Sequence, residues 1–329
     1  MLNNSKILIT GGAGFVGSRL AIMLLNKYTN LDIVLCDNLL RTNSMNNVDE
    51  VKRHCPSSSR VFFEYCDITT DNIYSLMQGV DYVCHLAATR INRGWYYMQE
   101  AHNCLATGTF KVYDAAVENN VKKIYYASSA SVYQGLFCDI LNPIKEDSVC
   151  QPHTIYGAAK YYGENLLKSF NKKYDIEYCI SRFFSVYGVG MDSESPYTEV
   201  IPRWINSALN KQNICSIGNP DESILDLVEV NDVCEAIICM LENGKNSVYN
   251  VCSGEGTSLR DLYLLINKEA ENLLGYQVGL DTINNATRKD IEKVRIGCSA
   301  KLKSLGWQPK VSLQDGIKEL FKHVQKRKG

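Results

Sequence analysis

A glycine-rich turn near the start of the chain limits the folds that this sequence can adopt. Residues 10–17 read Thr-Gly-Gly-Ala-Gly-Phe-Val-Gly. They lie between an apolar run at 6–9, which predicts a strand, and an apolar pattern at 18–25, which predicts a helix. The turn contains two overlapping glycine spacings, G-x-G-x-x-G at Gly12, Gly14 and Gly17, and G-x-x-G-x-x-G at Gly11, Gly14 and Gly17. Such glycines allow a tight turn, close approach of a pyrophosphate and close helix packing, so the turn predicts a dinucleotide-binding unit.

An acidic residue follows this turn at the distance expected for a dinucleotide site. The apolar run at 33–36 predicts a second strand, and Asp37 ends it twenty residues after Gly17. A carboxylate at this place accepts hydrogen bonds from the adenosine ribose and repels a 2′-phosphate. We therefore predict that the cofactor is NAD and not NADP.

The composition is that of a globular protein without a strongly charged partner. Of 329 residues, 45% are hydrophobic and 22% are charged, which is ordinary for a folded enzyme. The formal net charge of −1 argues against nucleic acid or an anionic membrane as the main partner. Because the sequence contains no long apolar span and no signal-peptide pattern, we expect a cytoplasmic protein that does not bind membranes.

The cysteines do not form a recognisable ligand or disulfide pattern. There are thirteen, an odd number, and they occur without C-x-x-C pairs or nearby histidine spacing. We interpret them as small buried hydrophobic residues in a reducing compartment. We therefore predict no metal site.

Strand and helix patterns alternate through the first 190 residues. Further strands are predicted at 61–64, 81–88, 122–129 and 178–183, and long helices at 98–118 and 156–172. This alternation predicts an α/β fold with a doubly wound parallel Rossmann sheet, which binds its ligands at the carboxyl ends of the strands.

The alternation stops beyond about residue 190. Helices without regular strand partners are predicted at 200–209, 259–273 and 313–326. We therefore predict an NAD-binding Rossmann domain at residues 1–188, to which a segment at about 226–250 returns. The remainder, residues 189–329, is predicted to be mainly a smaller α/β substrate-binding subdomain.

A tyrosine and a lysine share one face of the helix predicted at 156–172. Tyr156 and Lys160 are four residues apart, so their phenol and ammonium lie side by side. A neighbouring ammonium and the positive nicotinamide ring both lower the pKa of a phenol, which can then take or return a hydroxyl proton. Ser129, at the end of a predicted strand, supplies a hydroxyl for the reacting oxygen. The three residues together predict a catalytic group, although each spacing alone is weak.

These motifs resemble the extended short-chain dehydrogenases/reductases, and among them the NAD-dependent epimerase/dehydratase family that acts on nucleotide sugars. The similarity covers nearly the whole chain, with motifs at 10–17, 37, 67–68, 85–88, 103, 128–133, 156–160, 182–188, 226–232 and 305–309. It implies that Ser129, Tyr156 and Lys160 are the catalytic trio.

The resemblance also implies the positions that bind cofactor and substrate. Those expected to bind NAD are Gly11, Gly14, Phe15, Val16, Gly17, Asp37, Asn38, Asp67, Ile68, Leu86, Ala87, Ala88, Asn103, Tyr156 and Lys160. Among them, Asp67 and Ile68 would contact the adenine. Those expected to bind a nucleotide diphosphate sugar are Arg90, Ser129, Ser185, Arg203 and Arg288.

The residues that follow Ser129 favour one type of reaction. Dehydratases of this family carry an Asp-Glu pair there, whereas this chain carries Ala130 and Ser131, which cannot do that proton transfer. Oxidation at one sugar carbon and return of the hydride to either face remain. We therefore predict a nucleotide-sugar epimerase that acts at carbon 4 through a keto sugar and regenerates NAD in each cycle. Its product would be a precursor of a surface glycan.

Two substrate-binding positions depart from the family pattern. The usual asparagine of the Arg-x-x-Asn-x-Tyr-Gly segment is Ser185, and the arginine that usually holds the substrate diphosphate is Leu225. Bidentate arginine suits a diphosphate, so replacements are expected among the other arginines. The candidates are Arg203, Arg288 and Arg295.

Two other functions stay open on the sequence. A dehydrogenase or reductase that acts once on a nucleotide sugar would use the same three catalytic residues. A non-catalytic NAD-binding regulatory protein would keep the fold without needing them. We also expect a homodimer formed through the helices at 98–118 and 156–172, as is common in the family.

Overall fold

The alternating segments fold into parallel strands connected by helices. The computed structural model describes residues 2–41, 44–133, 142–195, 197–283 and 294–328. The strands of these residues are β1 (Lys6–Thr10), β2 (Asp32–Asp37), β3 (Arg60–Tyr65), β4 (Tyr82–His85), β5 (Lys123–Ser129), β6 (Glu177–Phe183), β7 (Ser185–Tyr187), β8 (Ile214–Ile217), β9 (Ile224–Glu229), β10 (Ser247–Val251), β11 (Gly256–Ser258), β12 (Leu280–Ile283) and β13 (Val294–Arg295).

The main sheet of the described residues has seven parallel strands in the order β10-β6-β5-β4-β1-β2-β3. The strand order reverses at β1, which pairs with β2 on one side and β4 on the other. Such a reversal opens a crevice at the carboxyl ends of the strands. The predicted doubly wound sheet is confirmed. Its seventh strand, β10, pairs with β6 and was not predicted, because it lies in the irregular second half of the sequence.

Helices cover both faces of this sheet and recur through the second half of the chain. They are α1 (Phe15–Lys27), α2 (Ser44–Arg53), α3 (Ile91–Tyr96), α4 (Met98–His102), α5 (Thr109–Glu118), α6 (Ile155–Tyr174), α7 (Val200–Leu209), α8 (Val230–Asn243), α9 (Leu259–Leu274), α10 (Ala300–Lys303) and α11 (Leu313–Lys328).

The core is divided between the two faces of the sheet because strand side chains alternate in direction. Ile7 and Ile9 of β1 lie in one apolar cluster with α1 and α8, whereas Leu8 lies in another with α5 and α6. A third cluster surrounds Trp204 and Phe321 and joins α7, α9 and α11.

Short strands connect the elements of the second half. β9 pairs with β7, β11 and β13, and β8 pairs with β12. β7 follows directly after β6 of the main sheet, so the carboxyl edge of the main sheet runs into this smaller set of strands.

The helix predicted at 98–118 is interrupted. α4 ends at His102, a π-helical turn spans Asn103–Gly108, and α5 follows. Gly108 in this turn packs on Ile68, where an added Cβ would lie 2.8 Å from Ile68 Cδ1. π-Helical turns are rare and often occur at functional sites.

His85 ends β4 and is part of the core. Its ring is fully buried and hydrogen-bonds with the hydroxyls of Thr10, at 2.7 Å from Nδ1, and Thr109, at 3.0 Å from Nε2. The ring also stacks on Tyr126 at 5.6 Å between centroids. Burial, and then the charge of Lys160, lower the pKa of His85 to about 3.

This buried histidine predicts a pH dependence of stability. Between pH 6.5 and about 3 the unfolded chain binds a proton at position 85 that the folded chain does not bind, so the free energy of unfolding falls as the pH falls. The slope from this one group is at most about 1.4 kcal/mol per pH unit. Urea unfolding of wild type and His85→Gln between pH 4.5 and 7.5 should show a shallower slope for the variant. The same change at the exposed His54 is the control, and equal slopes for wild type and His85→Gln would contradict the prediction.

Candidate active site

A cavity of about 620 Å³ lies along the carboxyl ends of β1, β2 and β4. All predicted cofactor positions except Tyr156 and Lys160 line it, namely Gly11, Gly14, Phe15, Val16, Gly17, Asp37, Asn38, Asp67, Ile68, Leu86, Ala87, Ala88 and Asn103. The cavity is large enough for a ligand that extends from the glycine turn to the ends of β2 and β3.

The glycine positions of this turn leave no room for a side chain. Gly11 has a φ of +70°, and a Cβ there would lie 2.9 Å from the backbone nitrogen of Ala87. A Cβ on Gly17 would collide with the carbonyl oxygen of Gly11. α1 begins at Phe15, so its first N–H groups, which have no partner within the helix, open on the turn. This cradle fits a pyrophosphate.

Asp37 is held in place by the backbone at the end of β2. Its carboxylate accepts N–H groups from Ala13 at 3.1 Å and Leu39 at 2.8 Å. Burial raises the pKa of Asp37, and these two hydrogen bonds act against that rise. Leu39 has a φ of +54°, an unusual conformation for a leucine. The backbone is thus bent so that the carboxylate faces the cavity.

Asp67 and Asn38 form a second polar group in this cavity. The Asn38 side chain donates to Asp67 Oδ2 at 2.9 Å, and the backbone and hydroxyl of Thr69 donate to Asp67 Oδ1. Burial raises the pKa of Asp67, but the hydrogen bonds from Thr69 and Asn38 outweigh it and the pKa is lowered. Asp67 is therefore a charged acceptor beside the predicted adenine site.

Arg41 is a lining residue that the sequence patterns did not reveal. It is largely buried and lines both this cavity and the adjoining one, and its Nη1 lies 3.9 Å from the place of a Cβ on Gly14. Burial, and then the charge of Arg90, lower the pKa of Arg41 to about 10, so the guanidinium is still cationic at neutral pH. No spacing rule marks an arginine in the loop after β2. Only the fold brings it over the glycine turn.

The adjoining cavity, of about 380 Å³, meets the first one at Phe15, Arg41, Ala88 and Thr89. Its walls come from both halves of the chain, since they include Ser129 and Tyr156 as well as Ser185, Glu199 and Leu225. Two of the predicted catalytic residues therefore face a cavity that continues the cofactor groove.

Tyr156 lies in the first turn of α6, and its phenol is buried near the Ser129 hydroxyl. Burial raises the pKa of Tyr156 to about 12, although Ser129 acts to lower it. The spacing of Tyr156 and Lys160 predicts a lower value. In the structure burial outweighs the two groups that lower this pKa, Ser129 and Arg41.

Lys160 lies behind the tyrosine and lines neither cavity. Its side chain is 2% exposed, and Nζ donates to the carbonyl oxygen of Ala127 at 2.7 Å. Nζ is 5.9 Å from the centre of the Tyr156 ring. Burial lowers the pKa of Lys160 to about 8, and Cys104 and Glu164 act against that shift. The ammonium therefore lies behind the phenol, where its hydrogen bond to the end of β5 holds it.

A buried ion pair supports the catalytic residues. Arg182 of β6 donates twice to Glu164 of α6, at 2.9 and 2.7 Å, and the Ser128 hydroxyl donates to the same carboxylate at 2.5 Å. Arg182 also donates to the Tyr133 hydroxyl at 2.6 Å. This network joins β6 to β5 and α6, the two elements that carry the predicted catalytic residues.

The structure places the predicted substrate arginines at different sites. Arg90 lines the cavity that contains Ser129 and Tyr156, which is called the substrate cavity from here on, and pairs with Asp192 at 3.0 Å. Arg203 is exposed on α7 and does not line this cavity. Arg288 lies outside the described residues. Arg295 lines the cavity, and the pairing of β13 with β9 places it directly beside Leu225, the position at which the expected arginine is missing.

Comparison with known proteins identifies the family. The model of the NAD-dependent epimerase/dehydratase family matches residues 7–252, most of the chain. This chain belongs to that family. The expected family, enzyme class and use of NAD are thereby confirmed.

The relatives of this epimerase/dehydratase family member act on several nucleotide sugars. A protein of Methanocaldococcus jannaschii, provisionally named a UDP-glucose 4-epimerase, is 30% identical over 95% of this chain and 96% of its own length. Human dTDP-D-glucose 4,6-dehydratase is 28% identical over 95% of this chain and 88% of its own length. The chain is thus similar to both epimerases and dehydratases.

Solved structures of the family superpose on nearly the whole molecule. A UDP-N-acetylglucosamine 4-epimerase of Methanobrevibacter ruminantium matches with a TM-score of 0.87 and 25% identity, over 98% of this chain and 99% of its own. A Bacillus cereus UDP-glucuronic acid 4-epimerase variant, solved with a fluorinated UDP-glucuronic acid and NAD, matches with a TM-score of 0.86 and 25% identity over the same shares.

The described residues contain neither a membrane-spanning helix nor a cluster of metal-binding side chains. Among the described residues, no helix combines the length and apolar character needed to cross a membrane. The same part of the chain contains no cluster of three or more His, Cys, Asp or Glu side chains placed to hold a metal ion.

The position of Arg41 leads to a prediction about cofactor binding. Because its guanidinium lies over the turn that cradles a pyrophosphate, Arg41→Gln should weaken NAD binding about tenfold or more. Calorimetric titration of NAD into nucleotide-free protein measures this. Arg53→Gln, a matched change at an exposed residue of α2, should leave the dissociation constant unaltered. An equal affinity of wild type and Arg41→Gln for NAD would refute the role of Arg41.

Proposed function

We propose that this protein is an NAD-dependent nucleotide-sugar 4-epimerase. One observation carries the proposal: Tyr156 and Ser129 face a cavity that adjoins the cofactor groove, and the residues after Ser129 are Ala130 and Ser131. The site thus has one proton-transferring phenol for a sugar hydroxyl, without the acid and base that follow the serine in dehydratases.

The residues around the cavity divide the chemistry among them. The Ser129 hydroxyl hydrogen-bonds the reacting sugar oxygen, and the Tyr156 phenol takes its proton and later returns it. When NAD is bound, it accepts and returns the hydride, and the positive charge of its ring favours the phenolate. Lys160 adds a cationic charge from behind the phenol, fixed by its hydrogen bond to Ala127.

The role of Tyr156 can be tested by a substitution that removes only its hydroxyl group. Tyr156→Phe should keep its affinity for NAD and lose at least about 100-fold in turnover, because it removes the proton-transferring group. Proton NMR of the protein with UDP-, GDP-, CDP- and dTDP-sugars and catalytic NAD measures the new epimer. Tyr162→Phe, on an exposed turn of the same helix, is the control. Undiminished turnover in Tyr156→Phe would overturn the mechanism.

Arg295 supports the binding of a nucleoside diphosphate. Its strand places it beside Leu225 on the wall of the cavity, so one guanidinium can serve the place where the family arginine is missing. Arg203, by contrast, is exposed on α7 and does not line the cavity, although its charge acts on Glu199 in the cavity wall.

The two arginines can be distinguished by kinetics. Arg295→Gln should raise the KM for the nucleotide sugar about tenfold or more, because it removes a charge-assisted contact with the diphosphate. Arg203→Gln should have the smaller effect. The measurement is the initial rate of epimerisation against substrate concentration, and a larger effect of Arg203→Gln would reverse the assignment.

A single-step reductase or dehydrogenase is the second candidate. It is favoured by the similarity to dTDP-4-dehydro-6-deoxyglucose reductase of Escherichia coli, which is 28% identical over 97% of both chains. The NMR experiment separates the two functions, because a keto sugar formed in step with added NAD indicates the dehydrogenase. An epimer in large excess over NAD indicates the epimerase.

The oligomeric state, cellular location and pathway of the enzyme are also proposals. A homodimer through α4, α5 and α6 is supported by the exposure of apolar rings on these helices, among them Phe110 at 43% and Tyr162 at 45%. Light scattering of the purified protein measures its mass in solution. Work in the cytoplasm on a surface-glycan precursor fits the nucleotide-sugar substrate, and glycan analysis of a strain that lacks the protein tests it.

A further inference from the structure

Glu199 is a carboxylate in the wall of the substrate cavity. It occupies the N-cap position of α7, where a side chain commonly accepts an N–H group of its own helix. The Glu199 side chain makes no such bond. It is half-buried and lines the same cavity as Tyr156, near enough that its charge acts to raise the pKa of the phenol.

The other acidic residue of the cavity, Asp192, already has partners within the protein. Asp192 accepts Arg90 at 3.0 Å and the backbone N–H groups of Glu194 and Ser195. Among the residues that the structure describes, no donor hydrogen-bonds the carboxylate of Glu199. Of the two acidic residues that line the cavity, Glu199 is therefore the one whose oxygens are open to a ligand.

The carboxylate oxygens of Glu199 are open to the cavity, where a ligand that supplies a hydrogen-bond donor is favoured over one that supplies a second negative charge. Partial burial raises the pKa of Glu199, while Arg90, Arg203, Arg41 and Arg295 act in the opposite direction. These arginines surround the carboxylate at a distance and do not replace a donor. A sugar hydroxyl is such a donor, whereas a second carboxylate adds repulsion.

We propose that Glu199 is a specificity-determining residue that accepts a hydrogen bond from a hydroxyl of a neutral hexose and rejects hexuronic acids. This inference rests on the proposed function, since it assumes a nucleoside diphosphate sugar in this cavity. It separates this chain from the Bacillus cereus neighbour, whose structure contains a UDP-glucuronic acid analogue.

A comparison of two ligands that differ only at carbon 6 tests the role of Glu199. Isothermal titration of the NAD-loaded protein with UDP-glucose and UDP-glucuronic acid gives the ratio of their dissociation constants. Wild type should bind UDP-glucose at least about tenfold more tightly, because like charges in a low-dielectric site repel strongly. Glu199→Gln keeps the shape and removes the charge, so the ratio should fall toward one.

The matched control is Glu194→Gln, which removes the same charge from an exposed residue of the same segment and should leave the ratio unaltered. A wild type that binds both ligands equally, prefers UDP-glucuronic acid or binds neither overturns the inference. So does an unchanged ratio in Glu199→Gln. Circular dichroism of both variants verifies that they are folded.

The failure of this inference and the failure of the proposed function are distinguishable. If wild type epimerises UDP-glucose with catalytic NAD but Glu199→Gln keeps the wild-type binding ratio, only the role of Glu199 is wrong. If UDP-glucose binds in preference to UDP-glucuronic acid and the ratio depends on Glu199, but no epimer forms, the specificity stands and the proposed reaction at carbon 4 is wrong.

Discussion

The geometry of the active site depends on the buried ion pair between Arg182 and Glu164, whose side chains are 3% and 0% exposed. Two charges at such a depth are tolerable only with nearly complete hydrogen bonding, which Ser128 and Tyr133 help to provide. The loss of one partner leaves a buried charge and typically costs about 3–5 kcal/mol. Because the pair fastens α6 to β5 and β6, it also sets the distance between Ser129 on the strand and Tyr156 on the helix. The chemistry is thus placed on rigid elements, and the variable contacts are left to loops.

The sequence predicted best those features that are short-range and geometrically strict. The glycine turn, Asp37 and the Tyr156–Lys160 spacing each lie within one strand–turn–helix unit, where few conformations satisfy the sterics. Arg41 and Glu199 could not be predicted in this way, because loops that follow distant strands bring them to the cavity. The same reason explains why Arg203 and Arg288 were predicted to bind the substrate, whereas Arg295 was named only as a further candidate. Only the pairing of β13 with β9 places Arg295 beside Leu225. The rise of the Tyr156 pKa depends on burial, which cannot be read from the spacing of Tyr156 and Lys160 in the sequence.

The substrate cavity shows how one chemical core can serve several sugars. The walls contributed by the Rossmann sheet carry the proton-transferring residues, while the second half of the chain contributes Ser185, Glu199 and Arg295. A change on these outer walls alters which ligand is held without moving the catalytic trio. Similar identity to epimerases, dehydratases and a reductase is consistent with this division, since identity over the whole chain reports the shared sheet more than the individual wall residues.

The cofactor groove and the substrate cavity share a wall made of Phe15, Arg41, Ala88 and Thr89. The side chains of this wall therefore belong to both binding sites. Where the two binding free energies are coupled through them, the coupling is reciprocal: whatever factor the sugar adds to the retention of NAD, NAD adds to the affinity for the sugar. A change at a residue of this wall thus acts on both ligands at once.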